Sequence, residues 1–165
     1  FTPAGGKAIP AGGYHYNDMF VSYGMGQQRR LSGNIGVQIG NYYNGSIRAL
    51  SLSQGRISIL KQLSVEPRVA INRIELPNTT FTTRQFGART DYGFSPRMFA
   101  SALLQYSSVD RTFSSNVRFR WEYRPGSEFF VVWTDEQDTN PLDSHERLML
   151  KNRAFVVKMT RLFRF

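Results

Sequence analysis

Hydrophobic and polar residues alternate with a period of two along most of this chain. The clearest stretch is 115–124. One side of it carries Ser115, Val117, Phe119, Trp121 and Tyr123, and the other carries Asn116, Arg118, Arg120, Glu122 and Arg124. Because successive side chains of a strand point to opposite faces, this pattern predicts a strand with one apolar and one polar face. Helical periodicity is almost absent, so the sequence predicts an all-β fold.

Turn-forming sequences separate the alternating segments. Asn44-Gly45 is typical of a short hairpin, and Ser95-Pro96-Arg97 and the Pro125-Gly126 pair are typical of tight turns. After a flexible lead-in at 1–13, the pattern predicts nine strands, at 14–25, 29–42, 45–55, 61–75, 81–94, 97–108, 112–124, 127–137 and 152–165. Pro67 falls inside the fourth strand without a ladder donor, which predicts an edge, a bulge or a misplaced boundary.

Most of these strands are longer than the usual five to six residues. A tilted strand that crosses a membrane needs about 9–11 residues. The sequence therefore predicts one domain at 14–165, an up-and-down antiparallel transmembrane β-barrel. Aromatic residues near strand ends predict a girdle at the membrane interface, formed by Tyr92, Phe94, Trp121 and Tyr123.

The connections predict an orientation and raise a question of completeness. With Phe165 on the periplasmic side, the longer connections at 76–80, 107–112 and 138–151 all lie outside, as in outer-membrane barrels. Bacterial single-chain barrels have even strand numbers, whereas nine is odd. Either the count is wrong by one, or the strands form the C-terminal part of a larger barrel. We favour the second alternative, with an upstream segment or a second chain completing the barrel.

Composition narrows the chemistry without choosing a partner. The chain has 165 residues, 21 Lys and Arg against 12 Asp and Glu, a net charge of +9, and no Cys. The absence of Cys excludes disulfides, thiolate catalysis and Cys-ligated zinc. Its longest apolar run, 129–133, is far shorter than the roughly 20 residues of a transmembrane helix. The charge predicts an anionic partner, which the composition leaves open among nucleic acid, lipid and solute.

The charged sides of the strands are candidates for a barrel lumen, with the lining residues Arg48, Arg89, Asp91, Arg118, Arg120, Glu122, Arg124 and Lys158. Three interpretations remain open at this point: a solvated or salt-bridged interior, a basic lining that selects anionic solutes, and a nucleic-acid surface. RNA-binding sheets are short and backed by helices, which this chain lacks, so we expect no nucleic-acid partner.

Catalysis has little support in the sequence. His15 and His145 lie near opposite ends of the chain, and Gly24-Met25-Gly26 lacks the third glycine and the helix of a phosphate-binding loop. We therefore predict no enzyme activity and no cofactor. We also predict no metal site, because the acidic residues lack the spacing of a calcium loop. These residues are Asp135, Glu136, Asp138 and Asp143.

The last eight residues, 158–165, resemble the C-terminal assembly signal of Gram-negative outer-membrane proteins. Together with the alternating apolar residues just before them, they give the predicted assembly signal Phe155, Val157, Met159, Phe163 and Phe165. Arg161 departs from the pattern, where an aromatic or apolar residue is preferred. The resemblance implies a location in the bacterial outer membrane, with its lipid, its lipopolysaccharide and the barrel-assembly machinery as partners.

A second resemblance covers about 75–165. Its motifs are Ser95-Pro96-Arg97, Leu104-Gln105-Tyr106, the arginine-rich stretch 116–127, 129–133 and 162–165. They are similar to a bacterial family in which a family-nine-type carbohydrate-binding module precedes a poorly characterised outer-membrane barrel. This resemblance implies a pore, or an anchor for an outward-facing carbohydrate-related module. The alternative is a soluble basic all-β protein that binds an anionic polymer.

Overall fold

The fold is a single antiparallel sheet, seen in a computed structural model that describes residues 12–26, 28–139 and 149–163. Each strand pairs with the next along the chain, so the sheet is an up-and-down meander. The strands are β1 (Asp18–Met25), β2 (Leu31–Tyr42), β3 (Gly45–Leu60), β4 (Leu63–Leu76), β5 (Thr79–Ser95), β6 (Met98–Ser107), β7 (Thr112–Arg124), β8 (Ser127–Asp138) and β9 (Met149–Met159). The predicted all-β fold with nine antiparallel strands is confirmed.

Several predicted boundaries are wrong. β1 begins at Asp18 and not at 14, β3 continues to Leu60 beyond 55, and β9 spans Met149–Met159 instead of 152–165. The predicted loop at 76–80 is a two-residue turn, because Leu76 still pairs with Thr79. Strand ends follow the backbone groups that the neighbouring strand offers, so pairing extends beyond the alternating segment. Residues 1–11 of the predicted lead-in lie outside the described part of the chain.

Pro67 marks a bulge, one of the three alternatives that the sequence left open. Pairing between β3 and β4 breaks between Leu52 opposite Val69 and Ile57 opposite Val65, so β3 uses four residues where β4 uses three. Gln54 has a φ of 52° inside this bulge. A Cβ added to Gly55 would lie 2.6 Å from the Pro67 carbonyl oxygen. The bulge therefore stands beside the residue that cannot donate to the ladder.

Residues directly opposite each other in the register share a face, and this rule divides the sheet into two faces. Across all nine strands the apolar face collects Val21, Val37, Leu50, Leu52, Val69, Ile71, Phe86, Ala88, Ala102, Leu104, Val117, Phe119, Val131, Trp133, Phe155 and Val157. The other face, which we call the polar face, collects Gln38, Ser51, Asn72, Gln85, Arg89, Asp91, Ser101, Gln105, Asn116, Arg118, Arg120, Thr134, Glu136, Asn152 and Lys158. It also carries apolar residues, among them Ile74, Phe81, Phe99, Leu103, Phe130, Val132 and Val156.

Burial in β2 and β3 is inverted relative to an ordinary soluble sheet. In β2 the apolar Ile35, Val37 and Ile39 are exposed, whereas Gly36 is buried and Gln38 is half-buried. Ile74, 6% exposed, is the one buried large hydrophobic residue among those described, and it lies on the polar face opposite Ile47 and Phe81. On these two strands the apolar face is thus the more open one, and among the described residues no second layer covers the sheet.

The strands are displaced in a regular way along the edge that holds the β1–β2, β3–β4, β5–β6 and β7–β8 connections. Leu31, the first residue of β2, lies opposite Ile57, three residues before the end of β3. Leu63, the first residue of β4, lies opposite Tyr92, three residues before the end of β5. Met98, the first residue of β6, lies opposite Trp121, three residues before the end of β7. A constant shift of this kind accompanies tilted strands, and barrels require it in order to close.

Among the described residues β1 pairs only with β2, and β9 pairs only with β8. The sheet is therefore open, with unpaired backbone along two edge strands. Within the described ranges, no helix has the length and apolar character needed to cross a membrane.

Gly55→Ala should lower the free energy of unfolding by about 1–3 kcal/mol, because the new Cβ would overlap the Pro67 backbone. Gly93→Ala is the matched control, since a Cβ there meets nothing within 4 Å. Denaturant titrations of both variants measure the difference. Equal effects of the two substitutions would contradict the close approach at the bulge.

Candidate functional site

The predicted lumen residues fall mostly on the polar face. The register places Arg89, Asp91, Arg118, Arg120, Glu122 and Lys158 there. Arg124 pairs with Ser127 where the β7–β8 hairpin turns. The prediction for Arg48 is wrong, because Arg48 lies opposite Ile39 and Arg73 and shares the apolar face with Leu50. Composition alone does not reveal which face a given arginine occupies near a strand end.

Side chains on the polar face bond to one another both within a strand and between neighbouring strands. The Arg89 Nε atom lies 3.0 Å from Asp91 Oδ2, and Arg120 forms an ion pair with Glu128. Three amides extend the network: Gln38 donates to Asp18 at 2.8 Å, Asn72 to Thr83 at 3.1 Å and Asn116 to Thr134 at 2.7 Å. This face therefore satisfies much of its own hydrogen bonding and needs no packed cover.

Charge on the polar face is nearly balanced. Its described cations are Arg56, Arg68, Arg89, Arg118, Arg120 and Lys158. Its described carboxylates are Asp18, Glu66, Asp91, Glu122, Glu128, Glu136 and Asp138. Of the interpretations left open by the sequence, a salt-bridged face fits this count, and a strongly basic lining does not.

Much of the excess positive charge lies instead along the edge that holds the β1–β2, β3–β4, β5–β6 and β7–β8 connections. We call this set the cationic edge, and its members are Arg29, Arg30, Lys61, Arg97, Arg124 and Arg161. The described connections at this edge contain no Asp or Glu. Sequence reasoning missed this set, although alternate turns of a meander meet at one edge and the turn residues are visible in the sequence.

An aromatic cluster borders the cationic edge. The rings of Tyr92 and Phe94 have centroids 4.6 Å apart, Phe94 and Phe119 lie 6.3 Å apart, and Trp121 and Tyr123 lie 6.0 Å apart. The four residues predicted as a girdle thus lie near the cationic edge, and their role in a membrane stays a prediction. Within β5 and β7 the order is a cation in or beside the turn, then aromatic rings, then aliphatic side chains.

A second aromatic cluster lies at the opposite edge. Tyr43 contacts Tyr14, Tyr16 and Tyr42, with ring centroids 4.9–5.9 Å apart. Desolvation, followed by the proximity of Tyr43, raises the pKa of Tyr16 above its ordinary value.

The proposed assembly signal is divided by the end of β9. Phe155, Val157 and Met159 lie on the apolar face opposite Trp133, Val131 and Phe129. Thr160 still exchanges backbone hydrogen bonds with Glu128, at 2.8 and 3.1 Å.

After Thr160 the chain leaves the ladder. The Leu162 amide donates to Ser127 Oγ at 3.0 Å, so the tail lies against the β7–β8 turn. The prediction that Phe163 continues the strand is therefore wrong, and Phe165 lies outside the described residues.

The acidic candidates for a metal site have other partners. Asp135 is 6% exposed and accepts from Arg153 Nε at 2.7 Å, and Asp138 lies 3.3 Å from Lys151. In the described ranges no three His, Cys, Asp or Glu side chains could hold a metal ion together. Asp143 and His145 lie outside the described residues, and His15 precedes β1.

Comparison of the chain with protein-family models, with curated proteins and with solved structures finds no match. The resemblances to outer-membrane proteins therefore remain predictions from the motifs.

Asp91→Asn should make the polar face locally more positive, because it removes the carboxylate that Arg89 contacts. Since the protein has no Cys, Ser101→Cys, opposite Asp91 and Arg118, provides a unique thiol. We compare the rate at which this thiol reacts with an anionic thiosulfonate to the rate with a cationic one. We expect Asp91→Asn to raise this anionic-to-cationic ratio about three- to tenfold.

Asp18→Asn is the matched control for this measurement. Asp18 lies on the same face in β1, beyond the range of screened charge from β6. A change in the rate ratio with Asp18→Asn, or none with Asp91→Asn, would contradict the local pairing of Arg89 and Asp91.

Proposed function

We propose that this protein is part of the wall of a bacterial outer-membrane β-barrel, with its apolar face toward lipid and its polar face toward a water-filled lumen. The observation that carries the proposal is the exposed apolar side of β2 and β3, where Val37 and Leu50 are exposed and Gln38 is half-buried. An apolar face that no protein covers is stable in lipid, because moving one such side chain out of water contributes about 1.5–3 kcal/mol of favourable free energy.

The extent of the apolar face supports this proposal. On β7 the face runs from Phe113 to Trp121, which at about 3.3 Å per residue is about 26 Å along the strand. With a strand tilt near 40°, this corresponds to about 20 Å along a barrel axis, comparable to the apolar band of about 25 Å in outer-membrane barrels. A soluble monomer rarely exposes a continuous apolar patch larger than about 300–600 Å².

The order of residues toward the cationic edge in β5 and β7 also supports a lipid-facing apolar face. Aliphatic side chains give way to the rings of Tyr92, Phe94 and Trp121, and the cationic edge follows. Amphipathic rings favour the boundary between lipid and water, and cations favour anionic head groups. We place this edge on the periplasmic side.

The open edges of β1 and β9 support a wall that other strands complete. Unpaired backbone groups in lipid cost several kcal/mol each, so a sheet that spans the membrane must close. Further strands, from the same polypeptide or from a second one, would pair with β1 and β9. The nearly balanced polar face favours a pore with weak charge selectivity over a pore that selects anions.

Tryptophan quenching tests the proposal. Both tryptophans lie on the apolar face, Trp133 near the middle of β8 and Trp121 three residues from the end of β7. In phospholipid vesicles we expect a quencher deep in the acyl chain to act on Trp133, and a quencher near the head group to act on Trp121. Trp121→Phe and Trp133→Phe isolate the two signals.

The control for this experiment uses neighbours on opposite faces. With both native tryptophans replaced by Phe, Leu104→Trp should be quenched by lipid-bound probes and Gln105→Trp should not. Equal quenching of the two, or none of either, would reject the lipid-facing assignment and favour the soluble β-protein.

A further inference from the structure

Three arginines lie together on the apolar face, where the sequence pattern places aliphatic residues. Arg48 in β3 is directly opposite Arg73 in β4. Arg73 is opposite Thr82 in β5, and Arg84 is two residues further along that strand. All three lie toward the edge that holds the β2–β3 and β4–β5 turns, away from the cationic edge.

Negative charge is scarce around these three arginines. Like charges directly opposite each other in a sheet are unfavourable. Glu75 is the carboxylate nearby, and it lies 2.9 Å from Arg73 Nε. Among the described residues, Arg48 and Arg84 have no ion-pair partner. The three guanidinium groups therefore face one carboxylate, and the cluster has an uncompensated charge of about +2.

Aliphatic and aromatic side chains form the surface directly beside the cluster. Ile39 lies opposite Arg48, Ile71 lies opposite Arg84, and Leu50 and Phe86 follow on the apolar face. Ile39, Leu50 and Phe86 are 48, 46 and 41% exposed. A ligand that covers both parts of this surface must combine an anionic head with an apolar body.

The geometry favours phosphate as the anionic head. Directly opposite strand residues have Cβ atoms about 4.5–5.5 Å apart, and diagonal neighbours are about 7–8 Å apart. Arg48 and Arg73 are thus close enough to share one phosphate group, and Arg84 is a diagonal neighbour of Arg73 that can reach a second. Guanidinium groups bind phosphate oxygens through two parallel hydrogen bonds, which the ammonium group of lysine does not reproduce.

We propose that Arg48, Arg73 and Arg84 bind the phosphomonoester head of a membrane lipid whose acyl chains lie over Ile39, Leu50, Ile71 and Phe86. This site rests on the proposed lipid-facing position of the apolar face. Its position at the edge opposite the cationic edge assigns it to the outer leaflet. The lipid A part of lipopolysaccharide has the required chemistry, with phosphomonoesters on an acylated sugar.

Binding measurements on the full chain in detergent micelles test this site. The probes are diphosphorylated lipid A, the same lipid with its phosphates removed, and inorganic phosphate. We expect the wild-type protein to bind diphosphorylated lipid A at least tenfold more tightly than the dephosphorylated lipid, as measured by native mass spectrometry. Millimolar inorganic phosphate should not compete.

Two triple variants separate the site from general charge. Arg48→Gln, Arg73→Gln and Arg84→Gln together should lower the affinity for diphosphorylated lipid A at least tenfold. Arg56→Gln, Arg68→Gln and Arg118→Gln remove the same charge from the polar face and should leave the affinity unchanged. Lysine at the three site positions should give an intermediate loss, and a heat-modifiable gel shift checks that each variant folds.

Other outcomes would overturn the inference. Equal losses in both triple variants would show that net charge, and not this cluster, attracts the lipid. Full competition by inorganic phosphate would show an anion site without lipid specificity. If Trp133 is quenched by lipid while lipid A affinity is unchanged in the site variant, this inference fails and the proposed function stands. If Trp133 is not quenched, the proposed function itself fails.

Discussion

Register between neighbouring strands is the constraint on which the rest of this structure depends. Side chains alternate with a period of two, and each strand is aligned with the next so that apolar residues meet apolar residues across nine strands. A shift of one residue in any hairpin would move a whole strand's apolar set to the polar face. The two-residue turns, such as Lys61-Gln62 and Pro96-Arg97, limit such slippage by fixing the hairpin geometry.

The same register distributes the charge into three groups with different consequences. Cations on the polar face are matched by carboxylates, as Arg89 is by Asp91, and this face is polar without being strongly basic. Cations in alternate turns collect at one edge because a meander returns there after every second strand. The arginines opposite each other in β3 and β4 remain on the apolar face, where protein partners are scarce. One net charge of +9 thus describes three unlike environments.

Much of the fold could be predicted from the sequence, because it depends on local pattern. The alternation around Val117 and Trp121 predicted the correct face for both, and Pro67 predicted a bulge as one alternative. Strand ends were less predictable. Thr79 and Thr80 carry turn-like polar side chains, yet they pair with Leu76 and Glu75 because the partner strand offers backbone groups there. Phe163 has the right spacing for β9, but the tail leaves the ladder at Ser127.

The sequence by itself determined the all-β architecture, the number of strands and the existence of an apolar and a polar face, because these follow from a period that one strand expresses alone. Only the tertiary structure decided which arginines lie together. Arg48 and Arg73 are 25 positions apart in the sequence, and their proximity depends on the register of a hairpin that local pattern does not specify. The charge balance of the polar face, the cationic edge and the arginine cluster all arise from this pairing, since electrostatics depends on distance in space.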